Sequence, residues 1–85
     1  MNIKYSKRFL KQFKKSPKKI QKAFIDRQDL FIEDENHPVL RKHSLKGRFS
    51  GLYSINVSGD WRALYKDTGE EIVIFELIGT HSQLY

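Results

Sequence analysis

The 85-residue chain contains no cysteine. That absence excludes a disulfide framework and any thiolate-ligated zinc site. Nor does it hold an apolar stretch near the ~20 residues that a membrane-spanning helix requires. Its first residues are basic but lack the apolar segment of a secretory signal, so the expected location is cytoplasmic, with no membrane partner. Internal repeats and low-complexity linkers are missing as well. A chain this short supports one modest core rather than two, and a single domain over residues 1–85 follows. The last absence is local. Residues 1–22 contain nine basic side chains (Lys4, Lys7, Arg8, Lys11, Lys14, Lys15, Lys18, Lys19 and Lys22) and no Asp or Glu.

The chain as a whole carries sixteen Lys and Arg against ten Asp and Glu, a net charge of +6. The sixty-three residues after Lys22 are therefore net acidic, and the basic excess belongs to one end. Such asymmetry predicts a directed field and a polyanionic partner, nucleic acid foremost. Apolar residues at 39% and aromatics at 13% mark a globular rather than a disordered chain.

Apolar spacing organises the two halves differently. Asn2 to Tyr5 reads as a short strand. Ser6 is placed to cap a helix whose apolar face is Phe9, Leu10 and Phe13. Ser16-Pro17 reads as a break, with Ser16 capping a second helix that carries Ile20, Ala23, Phe24, Leu30 and Phe31. That helix should end before Asn36-His37-Pro38, since a residue preceding proline disfavours helical geometry. The second half alternates with period two. "LYSINV", "WRALYK" and "EIVIFELI" are strands separated by the turn signals "SGD" and "DTGE". The long apolar run suits a central strand buried on both faces. The expected fold is α+β: an N-terminal strand and a helical hairpin packed on one face of a small, mainly antiparallel twisted sheet. Its other face is expected to be a shallow concave surface, with Ser54, Asn56 and Arg62 as candidates to line it.

Candidate chemistry centres on histidine. His37 lies beside Pro38 and reads as a solvated loop residue. His43 precedes "SLKG", His81 follows Gly79-Thr80 at the end of the apolar strand, and Asp60 sits in the turn between two strands. A two-histidine, one-carboxylate metal site draws no support from their spacing. A metal-free chemistry fits the charge better. RNA carries its own nucleophile, the 2′-hydroxyl. Histidine, with a reference pKa of about 6.5, suits the two proton transfers, while Arg or Lys suits the negative charge growing on the phosphate. No cofactor or metal is required. Tyr85 is placed to stack on a base, and Lys46 and Arg48, flanking Gly47, are placed to meet phosphates.

The order of "HSLKG", "GDWRALY" and "GTHSQLY" behind a helical hairpin resembles the type II toxins of the RelE/ParE superfamily, and among them the YafQ branch. The resemblance spans essentially the whole chain. It implies a ribosome-dependent mRNA endoribonuclease, cutting the message in the ribosomal A site and silenced by a cognate antitoxin. Matched position by position, it implies catalytic roles for His43, Asp60, His81 and Tyr85. Arg62 falls on the RNA-facing or supporting strand. The lysines of the hairpin, Lys11, Lys14, Lys15 and Lys18 among them, would then meet ribosomal RNA. The chain departs from the branch at two places. A histidine usual on the strand before the turn is Asn56 here, which can hydrogen-bond RNA but cannot exchange protons near neutrality. An arginine common on that strand is Ser54. Two alternatives therefore accompany the nuclease: a ParE-like topoisomerase inhibitor, and a catalytically silent RNA- or ribosome-binding regulator.

Overall fold

A computed structural model describes the whole chain, residues 1–85. Strand β1 (Asn2–Tyr5) leads into α1 (Lys7–Lys15) and α2 (Lys18–Glu33), and then, past a 3-10 turn at Pro38–Leu40, β2 (His43–Ser44). A second such turn, Gly47–Phe49, precedes β3 (Tyr53–Ser58), β4 (Trp61–Asp67) and β5 (Ile72–Thr80), and the chain closes with the one-turn helix α3 (His81–Leu84). The five strands form one sheet in the order β1-β5-β4-β3-β2. Only the β1–β5 pair is parallel. The other three pairs are antiparallel.

Alternation along the strands sorts the core. Ile55 and Val57 of β3, Ala63 and Tyr65 of β4, and Val73, Phe75 and Ile78 of β5 meet Phe9, Ile20, Phe24 and Phe31 of the two helices. These form one continuous cluster with Leu40. Phe75 is its hub, with ring centroids 5.1 Å from Phe24, 5.7 Å from Phe9 and 5.6 Å from Tyr65. The hairpin keeps its lysines outward, as the helical spacing predicts. The boundary between its helices differs from expectation. The Ser16 hydroxyl caps nothing in α2 and instead donates to the Gln12 carbonyl at 2.9 Å. Gln21 of α2 reaches back to donate to the carbonyls of Phe13 and Ser16, both at 3.0 Å. The end of α1 is thereby satisfied by side chains from within the hairpin.

The strand β5 is longer than its neighbour β1 and needs help along that edge. The ladder with β1 stops at Tyr5 and Phe75. Beyond it the Ser6 hydroxyl donates to the Glu76 carbonyl at 3.0 Å, and the Gln12 side-chain oxygen accepts from the Ile78 N–H at 2.9 Å. Two side chains around α1 thus continue a ladder that the backbone abandons. On the other edge of β5 a register shift opposite Leu64 and Tyr65 leaves Glu76 as the extra residue.

The second face of the sheet is not the open concavity that the sequence suggests. Leu64 of β4, Leu77 of β5 and Leu84 of α3 form a smaller core covered by Leu45, Phe49 and Leu52 from the segment around β2. Ser54 is fully buried beneath it, with a hydroxyl that finds no partner. It therefore lines no surface. Only the Asn56–Arg62 pair beyond it stays uncovered by this second core, and both residues are half-buried, while Gly79 next to them is buried under α3. The Tyr65 hydroxyl is the other buried group without a partner. Burial, with Glu35 and Asp67 nearby, raises its pKa well above the ordinary phenol value, so it stays neutral.

These contacts make two opposed predictions for equilibrium unfolding in urea. Gln12→Leu strands the Ile78 N–H and should cost about 1–3 kcal/mol. Tyr65→Phe removes a buried group that has no partner and should leave stability unchanged or raise it by about 1 kcal/mol.

Candidate active site

The residues with the chemistry come from three places, each fixed by a local device. The first is β2, a two-residue strand that pairs His43 with Ser54 and Ser44 with Tyr53. Paired residues share a face. The His43 side chain therefore belongs to the face of Ser54, Leu64 and Leu77 and stands exposed at the rim of the smaller core. Its Nδ1 lies 3.0 Å from the Arg41 carbonyl oxygen. A carbonyl only accepts, so Nδ1 carries the proton, and in the neutral ring Nε2 is left with its lone pair free. Arg41 holds a left-handed conformation, with φ of 48°, where it ends the Pro38–Leu40 turn.

The β3–β4 hairpin supplies the second group. Ser58 pairs with Trp61, leaving Gly59 and Asp60 as a two-residue turn, and Gly59 takes the positive φ of 52° that such turns require. Asn56 and Arg62 face each other across this hairpin. Both donate to the Gly59 carbonyl, Asn56 Nδ2 at 3.1 Å and Arg62 Nη1 at 2.9 Å. Arg62 thus braces the turn with one nitrogen while its remaining donors are available. Asp60 is exposed.

The third group is the end of the chain, which folds back over the sheet in the form of one helical turn. The Thr80 hydroxyl accepts from the Gln83 N–H at 3.2 Å, and the Gln83 side chain accepts from the Thr80 N–H at 2.9 Å, a complete capping box. Leu84 is the buried anchor. Gly79 allows this return for a reason of space, since a Cβ there would lie 3.1 Å from the Gln83 side-chain oxygen and 3.4 Å from Leu84. The His81 N–H donates to the Asp60 carbonyl at 3.1 Å, which ties the tail to the hairpin turn. The rings of His81 and Tyr85 lie 4.7 Å apart, and Tyr85 meets Phe49 edge-on at 5.5 Å. Arg48 covers the other partner in this row, 5.0 Å from the Phe49 ring. Lys46 is exposed beside it, as are Lys11, Lys14, Lys15 and Lys18 on the hairpin.

Asp60, His81, Tyr85 and Arg48 are thus joined by a continuous run of contacts. His43 stands apart from them, since no hydrogen bond or ring contact links it to His81. Two strands intervene between β2 and β5, which amounts to about 14 Å at the usual strand spacing. The site is a shared face with imidazoles at two of its borders rather than a closed pocket. His37 differs from its sequence reading. It is half-buried, and its Nδ1 accepts from the Val39 N–H at 3.1 Å, capping the Pro38–Leu40 turn. Histidine is a rare cap, and the local signal for one is Pro38 at the first position of the turn.

An α+β fold with a helical hairpin on one sheet face, and imidazoles with basic and aromatic side chains around the other, is that of a toxin of the RelE type. The sequence matches the YafQ family, a bacterial toxin of type II toxin-antitoxin systems, over residues 1–85, and the chain belongs to that family. Among solved structures it is similar to YafQ from E. coli strain BL21(DE3), at 27% identity and a TM-score of 0.83, covering 99% of this chain and 97% of that one. It is also similar to the toxin in the E. coli DinJ-YafQ toxin-antitoxin complex, at 28% identity and a TM-score of 0.80 over 99% and 96% of the two chains. The YoeB/ParE toxin from Agrobacterium tumefaciens shares the fold, at 13% identity and a TM-score of 0.78 over 95% and 99%. Comparison with curated proteins gives no match. No helix is long and apolar enough to cross a membrane.

The capping box yields a local prediction. Thr80→Ala should destabilise α3 by about 1 kcal/mol while leaving the main core intact. Amide exchange should therefore quicken at Gln83 and Tyr85, with the urea midpoint nearly unmoved.

Proposed function

We propose that this toxin is a ribosome-dependent mRNA endoribonuclease, held inactive by a cognate antitoxin. The observation that carries this reading is the fixed state of His43. With Nδ1–H committed to the Arg41 carbonyl, Nε2 is presented to solvent as a base on an exposed rim. It removes the proton of a 2′-hydroxyl. The 2′-oxygen then bonds to the adjacent phosphorus as the bond to the 5′-oxygen breaks. A proton supplied from His81 completes the leaving 5′-hydroxyl, and the other product ends in a 2′,3′-cyclic phosphate. Charge on the phosphoryl oxygens is met by Arg62, Arg48 and Lys46, and Asp60 orients or serves the His81 imidazole. Tyr85 offers its ring to a base at the cut. Because His43 and His81 lie at two borders of one face, the message and the ribosome must bring the reacting groups together, which accounts for a requirement for the A site.

The hairpin lysines contribute affinity rather than chemistry. Nine basic residues without an acidic one, nearly all on α1 and the start of α2, suit ribosomal RNA phosphates and should make ribosome binding fall steeply with salt. The E. coli relative is found in complex with DinJ. A partner for this chain should present acidic side chains where it meets the basic face, covering RNA contacts and the imidazoles together. The silent-regulator reading draws on Asn56, which removes one titratable group from the face.

Mapping of RNA 5′ ends after brief induction tests the proposal. New ends within translated messages are expected from the natural chain. His43→Ala and His81→Ala should each reduce cutting by at least about 10²-fold, while antitoxin binding and fold persist. Intact messages alongside trapped gyrase–DNA complexes would replace this reading with the topoisomerase inhibitor.

A further inference from the structure

His43, on the edge strand, does not border only the face described above. Together with His37, Arg41, Lys42, Ser44 and Tyr53 it lines a cleft of about 430 Å³ between the Pro38 turn and the outer edge of the sheet. The two imidazoles in this cleft are fixed in opposite senses. His43 donates from Nδ1 to a carbonyl, so that its Nε2 accepts. His37 accepts at Nδ1 from the Val39 N–H, so that in the neutral ring its Nε2 carries the proton and donates.

The charges around them are unequally used. Lys42 is spent within the fold, ion-paired with Glu35 at 3.1 Å and lying 5.1 Å from the Tyr53 ring centre. That ring is covered on its other side by Tyr65, at 5.4 Å and 21°. It is therefore no platform for a base. The exposed Arg41 guanidinium makes no ion pair and no hydrogen bond. It also borders a second cleft of about 450 Å³, shared with Arg27, Asn56 and Gly59. A polar path thus runs from Asn56 past Arg27, whose Nε donates to the Val57 carbonyl at 3.2 Å, and past the unpaired Arg41 to the His37 ring.

We propose that the His37 cleft is a subsite for a phosphodiester of the message next to the one that is cut, with His37 Nε2–H and the Arg41 guanidinium as its donors. This rests on the nuclease reading and names what that reading lacks, the groups that set the strand against His43. A phosphate oxygen accepts from both donors at once, whereas a base gains no ring surface here. Both His37 and Arg41 stay within the same short turn as the Arg41 carbonyl that orients His43. Strand placement and base orientation are in this way set by a single element.

The test uses a 2′-O-methyl hexaribonucleotide, which binds but cannot be cut, added to the full chain while the imidazole signals are followed by NMR. The signals of His37 and His43 should move together with one dissociation constant. His37→Asn retains a side-chain oxygen to cap Val39 and loses the ring donor. It should weaken the oligonucleotide roughly tenfold, about the value of a hydrogen bond to a charged group, with an unchanged unfolding midpoint. The KM for message cutting on ribosomes should rise by the same factor at constant kcat. His37→Asp caps equally well but places a carboxylate against the phosphate, and should lose more. Unchanged affinity in both variants, a titration that moves His81 but leaves His37 still, or no binding by the natural chain at millimolar oligonucleotide would each overturn the subsite. Oligonucleotide binding that depends on His37, in a chain that cuts no message, would instead retain the subsite and remove the nuclease.

Discussion

The completed edge of β5 is the constraint on which the remaining structure rests. That strand carries Phe75 toward the helices and Leu77 toward the smaller core, and its last residues launch the tail. Its partner β1 is too short to satisfy it, so Ser6 and the Gln12 side chain take the backbone groups of Glu76 and Ile78. A buried strand end without these partners would carry the full desolvation cost of its peptide groups. The same two contacts fix the angle at which α1 crosses the sheet. They also hold the one segment of backbone that leads directly to His81.

From that strand the two faces acquire different duties. The helix-covered face is large, continuous and aromatic, and supplies the stability. The second face holds only three buried leucines under a loop, and its cover is built from residues adjacent to His43 and Tyr85. Folding and the site are thus linked through Leu84, Phe49 and Leu45 rather than through the main core. A lesion in the helical core unfolds the protein. A lesion in the leucine cluster displaces the imidazoles first.

Most of the architecture was legible because each half has an unambiguous period. Helical spacing from Phe9 to Phe31 and alternation from Tyr53 to Ile78 assign the elements, and their order admits few topologies. What could not be read were the groups that act across the chain. Ser54 looks like a polar surface residue of an alternating strand, yet the cover above it comes from the segment just before it, Leu45 to Leu52, which has no regular period, and from Leu84 in the distant tail. Ser16 has the chemistry of a helix cap and bonds backward instead, because Gln21 already serves the carbonyls at the end of α1. His43, Asp60, His81 and Tyr85 were legible as a set only through the family pattern. Their placement around one face, and the gap between His43 and the rest, needed the strand order. His37 reads as a solvated loop residue because an imidazole seldom caps a turn, and the proline after it accounts equally well for a plain break.

The strand β2 is two residues long and joins the sheet by a single short stretch of pairing. Its side chains contribute little to the folded state, since both are exposed. Changes in the flanking turns can therefore reposition an imidazole without eroding the helical core. The exposed residues of 36–48 along that border can therefore vary among homologues at small thermodynamic risk, whereas the central strands are held by packing on both of their faces.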